Sequence, residues 1–330
     1  MIGTRTPFRV SFIGGGSDLR EFYEKSPGRV ISTSINKYMY IFSHQYFEEK
    51  IQVKYSRTEL VENVNKIKHP IVREALNQFD IKSIDINSIA DIPSGSGLGS
   101  SSAYTVGLLH NLNAYSNRYI SVDDLAKEAC RLEIDILGEP IGKQDQYASA
   151  FGGLNKITFF PNGEVDVEPI IMEPEFYNNL QRNLLLFYIG STRKASSVLS
   201  DQKANLIADR GRFENLKKMT DLVDEMHQSL VGSDLNNFGN ILDRNWKLKK
   251  TLSKKISNSM IDDIYSLGLK NGATGGKVLG AGGGGFILFY CPLERQNNLR
   301  SAMRNLKEVS FSFENSGSKV IYIADTKFHK

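Results

Sequence analysis

Phe8, Val10 and Phe12 alternate with polar neighbours, the two-residue period of a strand with one apolar face. The stretches Tyr38–Phe42, Ile51–Tyr55 and Ile84–Ile89 are rich in β-branched and aromatic residues and read as further strands. One helix, Pro70–Phe79, interrupts them. From Ser100 the period changes. Val106, Leu109 and Leu112 fall at helical spacing, as do Leu125, Ala129, Leu132 and Ile136, with Asp123 or Ser121 placed to cap the second helix. The segment Gly138–Gly153, broken by Pro140 and closed by paired glycines, reads as a loop. Two strands around Asn162-Gly163 predict a hairpin, Leu184–Gly190 a buried strand, 195–262 a charged helical region, and 319–324 a closing strand. Strands followed by helices, twice over, predict an α+β chain in two halves.

Length and composition narrow the class. The chain of 330 residues is long enough for two domains, and 40% hydrophobic with 24% charged residues is ordinary for a globular protein. A formal net charge of +4 without a basic run gives no reason to expect nucleic acid. Two cysteines, Cys130 and Cys291, far apart in the chain, imply neither a disulfide framework nor a metal knuckle. No apolar stretch is long enough to span a bilayer, and the first twelve residues have no apolar signal core, so the expected setting is the cytoplasm.

The segment PSGSGLGSSSA, Pro93–Ala103, sits between a strand and a helix. Glycine lets successive backbone N–H groups approach an anion, and the N-terminus of the helix adds unpaired donors and a positive dipole end. The segment, expected at the surface, is therefore a candidate phosphate cradle. It is neither a Walker A loop, because no Gly-Lys-Ser/Thr follows, nor a dinucleotide fingerprint. Two more glycine clusters flank it: Gly14–Gly16 followed by Asp18, and Gly282–Gly285 before a buried strand.

Three such clusters at the start, middle and end of one chain resemble the motifs of the GHMP kinase superfamily, which includes galactokinases and the homoserine, mevalonate and phosphomevalonate kinases. The middle pattern, Pro-x-Gly-x-Gly-Leu-Gly-Ser-Ser, is satisfied from Pro93 to Ser101. Within the family, RTPFRVSFIGGGSDL, GKQDQYASAFGG and VLGAGGGGF look like bacterial sugar kinases acting on D-glycero-D-manno-heptose 7-phosphate at the anomeric oxygen. Ser17 stands where that group tends to carry Thr, and the Gly-Glu-His-Thr-Asp-Tyr segment of galactokinases is missing.

The resemblance implies an α+β fold of two domains. Residues 1–175 would form an α/β nucleotide-binding domain and residues 176–330 a ferredoxin-like one. It also implies ATP as donor, Mg²⁺ as cofactor, a small sugar-phosphate acceptor, a product feeding surface-polysaccharide synthesis, and neither nucleic acid nor membrane as partner; a homodimer stays open. Pro93, Gly95, Ser96, Gly97, Leu98, Gly99, Ser100, Ser101 and Ser102 would hold the triphosphate. Ser101 and Glu133 would bind the metal, with Asp135 as a rival. Asp145 would be the catalytic carboxylate, and Arg9, which strand alternation alone would turn to solvent, would steady it. Gly15, Gly16, Asp18, Gly282 and Gly283 would contact the acceptor. Lys143, Arg193 and Lys194 are candidates for its distal phosphate, since Arg suits phosphate as a bidentate donor. Without the resemblance, Asp18 would read as the N-cap of a helix at Leu19–Glu24 and Asp145 as a turn residue. A GHMP kinase for another alcohol, galactokinase-like or of the mevalonate pathway, is the alternative. A ligand-binding member without catalysis is the other, and the joint presence of Asp145, Arg9, Ser101 and Glu133 argues against it.

Overall fold

The computed structural model describes residues 1–190 and 195–324. The first half of the chain runs β1 (Ile2–Ile13), α1 (Arg20–Tyr23), β2 (Gly28–His44), β3 (Ile51–Lys54), β4 (Thr58–Val61), α2 (Pro70–Phe79), β5 (Ile84–Ala90) and α3 (Ser100–Tyr115). It continues with α4 (Val122–Cys130), a π-helical turn (Arg131–Ile136), α5 (Gln144–Phe151), β6 (Leu154–Phe159) and β7 (Val165–Pro169). The second half holds α6 (Pro174–Arg182), β8 (Leu184–Gly190), α7 (Ala195–Ala208), α8 (Arg210–Val231), α9 (Phe238–Thr251) and α10 (Ser259–Lys270). It closes with β9 (Gly275–Val278), β10 (Gly285–Tyr290), α11 (Gln296–Ala302), β11 (Lys307–Glu308) and β12 (Lys319–Ile323).

The larger sheet has the order β12-β1-β2-β5-β3-β4. The 17-residue β2 serves two neighbours in turn: its first part pairs with β6 and its last part with β5. The smaller sheet, β11-β8-β10-β9, is antiparallel throughout. Taken in chain order its strands are fourth, first, third and second, the split βαβ arrangement of a ferredoxin-like domain. The last strand, β12, pairs with β1 and so returns from the second half to the first sheet. One apolar cluster also runs from Phe8 and Leu109 through Leu186, Val223 and Leu288, so the core is continuous across residue 175. Among the described residues, no helix is long and apolar enough to cross a membrane.

Two expectations are revised. The alternation in β1 predicts one wet face, yet nearly the whole strand is buried. Its polar side chains are paired inside: Thr4 donates to the Gly107 carbonyl at 3.0 Å, and Thr6 meets Ser318 at 2.8 Å. The expected loop 138–153 is only partly a loop, because Gln144–Phe151 forms α5. That stretch has no interior glycine or proline, its Tyr147, Ala148 and Ala150 are buried, and Gly152, with φ of 72°, ends it. Of the two candidate caps on α4, Ser121 is the one used, its Oγ accepting from the Asp124 amide at 3.1 Å.

Candidate active site

The loop between β5 and α3 alternates glycines in the left-handed region, with φ of 73° at Gly95, 88° at Gly97 and 76° at Gly99. Leu98 turns its side chain into the core, and its carbonyl accepts from the Arg9 amide at 3.1 Å. The loop is not wholly on the surface. Pro93 to Gly95 are exposed, but Ser96 and Leu98 to Ser100 are buried. The reason is the third glycine cluster. A Cβ on Gly97 would lie 2.5 Å from the Leu279 carbonyl, so the turn before β10 clamps this loop from the other half of the chain. Gly97→Val is therefore expected to weaken ATP binding by roughly tenfold or more and to lower thermal stability as well, through backbone strain and that clash. Titration calorimetry with ATP and a melting curve check this; wild-type affinity in a folded variant would remove the loop from the phosphate site.

Arg9 is 2% exposed, contrary to simple strand alternation. Its Nε and Nη2 donate to the two carboxylate oxygens of Asp145, each at 2.8 Å, and its Nη1 to the Gly97 carbonyl at 2.6 Å. One guanidinium thus fixes both the glycine loop and the carboxylate. Asp145 stands in the first turn of α5, and its Oδ2 lies 3.4 Å from where a Cβ on Gly99 would be.

Glu133 is buried beside Ser101, whose Oγ donates to Oε1 at 3.2 Å, while Gln146 Nε2 donates to Oε2 at 2.7 Å. Burial pushes its carboxyl up to about 7, against the pull of the hydroxyls and amide around it. Both Leu132 and its neighbour Glu133 are buried, in the π-helical turn. Asp135 points outward to Arg20, which donates at 2.8 Å. The geometry joins Ser101 to Glu133 and leaves Asp135 outside the cleft.

Asp18 is 3% exposed and is not a helix cap. It accepts from the Gly16 amide at 2.9 Å, the Gln144 amide at 3.2 Å and Gln144 Nε2 at 3.3 Å. Burial, then the charge of Asp145, raises its carboxyl above the usual range. Gly15, Gly16, Asp18, Gln144 and Asp145 line one cleft of about 390 Å³ with Arg9 and Glu133.

Three expected contacts are not brought there. Lys143 turns away, donating to the Gly163 carbonyl at 2.8 Å with its ammonium 4.8 Å from the Tyr23 ring centroid. Gly282 and Gly283 pack on Ile256, Gly283 donating to its carbonyl at 2.9 Å; Gly280 and Ala281 reach the cleft instead. Arg193 and Lys194 lie outside the described residues. The cleft also holds Lys249 and Lys277, which the sequence reading passed over. Burial lowers Lys249 to about 8 and also lowers Lys277 well below the usual ammonium value.

A second cavity of about 670 Å³ opens on the other side of the loop, meeting the cleft at Gly95, Ser100 and Ser101. Its wall is aromatic and apolar: His69 stacks on Tyr104 at 5.1 Å, beside Tyr55, Ile71 and Met39. An apolar cavity, a glycine cradle and a charged cleft follow one another, the order that a base, a phosphate chain and an acceptor hydroxyl require.

The family model for the GHMP kinases N terminal domain matches residues 64–153, and that for the GHMP kinases C terminal matches residues 222–308. A D-glycero-alpha-D-manno-heptose 7-phosphate kinase of Campylobacter jejuni is 31% identical, over 96% of this chain and 98% of that protein. The chain belongs to the GHMP kinases. The kinase also shares its fold with a D-glycero-D-manno-heptose 1-phosphate kinase from Bacteroides thetaiotaomicron, with a TM-score of 0.81 and 23% identity over 98% of this chain and all (100%) of that one. A putative sugar kinase from Campylobacter jejuni superposes with a TM-score of 0.76 and 28% identity, over 98% of each chain. The kinase is an ATP-dependent phosphotransferase acting on an alcohol group.

Proposed function

We propose that this kinase transfers the γ-phosphoryl group of ATP to the anomeric hydroxyl of D-glycero-D-manno-heptose 7-phosphate, giving the 1,7-bisphosphate. The observation that carries the reading is the Arg9 clamp, which holds Asp145 against the glycine loop with both carboxylate oxygens engaged. The 31% identity to the heptose 7-phosphate kinase, over nearly the whole of both chains, supports the acceptor.

Phosphoryl transfer to an alcohol is mostly a matter of position and charge, because its transition state is loose. The amides of the glycine loop and the first turn of α3 hold the phosphates. Asp145 orients the acceptor hydroxyl and takes its proton late; an anomeric hydroxyl, more acidic than a simple alcohol, suits a weak base. Arg9 carries positive charge to the point where the phosphoryl group passes. Asp18 accepts from the sugar's ring hydroxyls. Ser101 and Glu133 offer only hard oxygen donors, and Glu133 is a buried carboxylate with no cation in hydrogen-bond range among the described residues, so the pair fits Mg²⁺. Magnesium bound there would neutralise charge on the phosphates.

The test is ADP release from saturating MgATP with heptose 7-phosphate, unphosphorylated heptose, galactose and mevalonate. Heptose 7-phosphate is expected to give the highest kcat/KM. Equal rates with galactose would overturn the acceptor while leaving the kinase in place.

A further inference from the structure

The acceptor proposed above carries a phosphate of its own, and the cleft holds cations that the chemistry at Asp145 does not use. Lys249, on α9, is 6% exposed, and Lys277, on β9, is 5% exposed. Both reach the cleft from the second half of the chain. Lys249 Nζ donates to the Gly15 carbonyl at 2.9 Å and to Gln202 Oε1 at 3.1 Å. Lys277 Nζ donates to the Ser11 carbonyl at 2.7 Å. An ammonium has three N–H donors, so, among the described residues, one remains unused on Lys249 and two on Lys277. Neither has a carboxylate as a direct partner among the described residues; Asp18 acts on Lys249 only through space.

Buried charges are ordinarily paired. Here like charges are gathered instead: burial first, and then the charges of Lys249 and Arg9, lower Lys277 well below the usual ammonium value. Gln202, on α7, is fully buried; its oxygen is taken by Lys249 and its Nε2 has no partner among the described residues. Gly16 is what opens this spot. A Cβ there would collide with Gln202 Nε2 and lie 3.3 Å from Lys249 Nζ. Unused donors and unpaired positive charge thus converge at the Gly15–Gly16 end of the cleft.

We propose that Lys249, Lys277 and the side-chain amide of Gln202 form the subsite that takes the acceptor's own phosphate. The inference rests on the sugar-phosphate reading. Donor phosphates have their own partners in the glycine loop and Arg9. A ring hydroxyl would not call for two cations, and Asp18 is the acceptor proposed for the hydroxyls. A phosphate of charge near −2 favours the protonated form of both lysines, and so matches two ammonium groups and a neutral donor.

The measurement is the ratio of kcat/KM for heptose 7-phosphate to that for unphosphorylated heptose, at saturating MgATP. It is made on the wild type, Lys249→Met, Lys277→Met and Gln202→Leu. The wild-type ratio is expected to be well above one. Each lysine variant is expected to lower it by about ten- to a hundredfold, through KM of the phosphorylated acceptor, and Gln202→Leu by roughly three- to tenfold. A residue that only supports the fold would depress both acceptors together and leave the ratio unchanged. Melting curves identify a variant that does not fold, and the neutral Gln202→Leu keeps the test decisive in that case. An unchanged ratio in the folded variants overturns the subsite, as does a rise in KM for ATP alone, which would assign the lysines to the donor. A wild type that does not prefer the phosphorylated sugar overturns the sugar-phosphate reading itself, and the subsite with it.

Discussion

Asp145→Asn is expected to lower turnover by roughly two to four orders of magnitude, the usual worth of a positioned base, while ATP and acceptor still bind. Asparagine keeps the shape and one carbonyl acceptor. It removes the charge that pairs with Arg9 and the ability to take the hydroxyl proton. Its amide nitrogen must also face a guanidinium that now donates to both carboxylate oxygens at 2.8 Å. Arg9 is then left buried with the Gly97 carbonyl and at most one side-chain carbonyl, and with no counter-charge, so a drop in stability is expected alongside the loss of rate. Rapid-quench turnover and calorimetric binding of ATP and sugar phosphate separate the two effects. Near-normal turnover in the variant would strip Asp145 of its role.

Glu133→Ala should lower turnover by about two to three orders of magnitude and raise the Mg²⁺ concentration needed for half-maximal rate, since the metal supplies several kcal/mol of charge neutralisation. Asp135→Ala is the matched control. Asp135 is two residues away but lies outside the cleft, bound to Arg20, and its side chain is 49% exposed, so its loss should leave metal dependence at the wild-type level. Exposed pairs of this kind contribute about 0–1 kcal/mol. The reverse pattern, with Asp135 sensitive and Glu133 not, would move the ligand.

What was legible in the sequence was local chemistry with a strong period or a strong breaker. The helix Pro70–Phe79, the hairpin at Asn162-Gly163 and the strand Leu184–Gly190 are found at the residues expected. The three glycine clusters led to the family, and the matches to the GHMP kinase domains bear that out. Tertiary context decided the rest. No periodicity in 319–323 says that this strand will pair with β1, more than three hundred residues earlier. Arg9 looked solvent-facing because alternation marks one face apolar but cannot tell whether the other is covered. Lys249 sits in the run WKLKK, where a helix with many lysines reads as a wet surface. A signal was present: Phe238, Ile241, Leu242, Asn245, Trp246 and Lys249 form the buried stripe of α9 at i, i+3, i+4, i+7 spacing, so Asn245 and Lys249 are polar residues at apolar positions. Lys277, between Gly276 and Val278 in a short buried strand, is the same kind of exception.

The acceptor profile of the wild type is the most direct test of the whole account. With saturating MgATP, ADP release should be fastest, by kcat/KM, with heptose 7-phosphate, and ³¹P NMR of the product should show a new phosphate coupled to the anomeric proton beside the original one. A new phosphate on any other carbon, or a kcat/KM for galactose or mevalonate equal to that for the sugar phosphate, would contradict it.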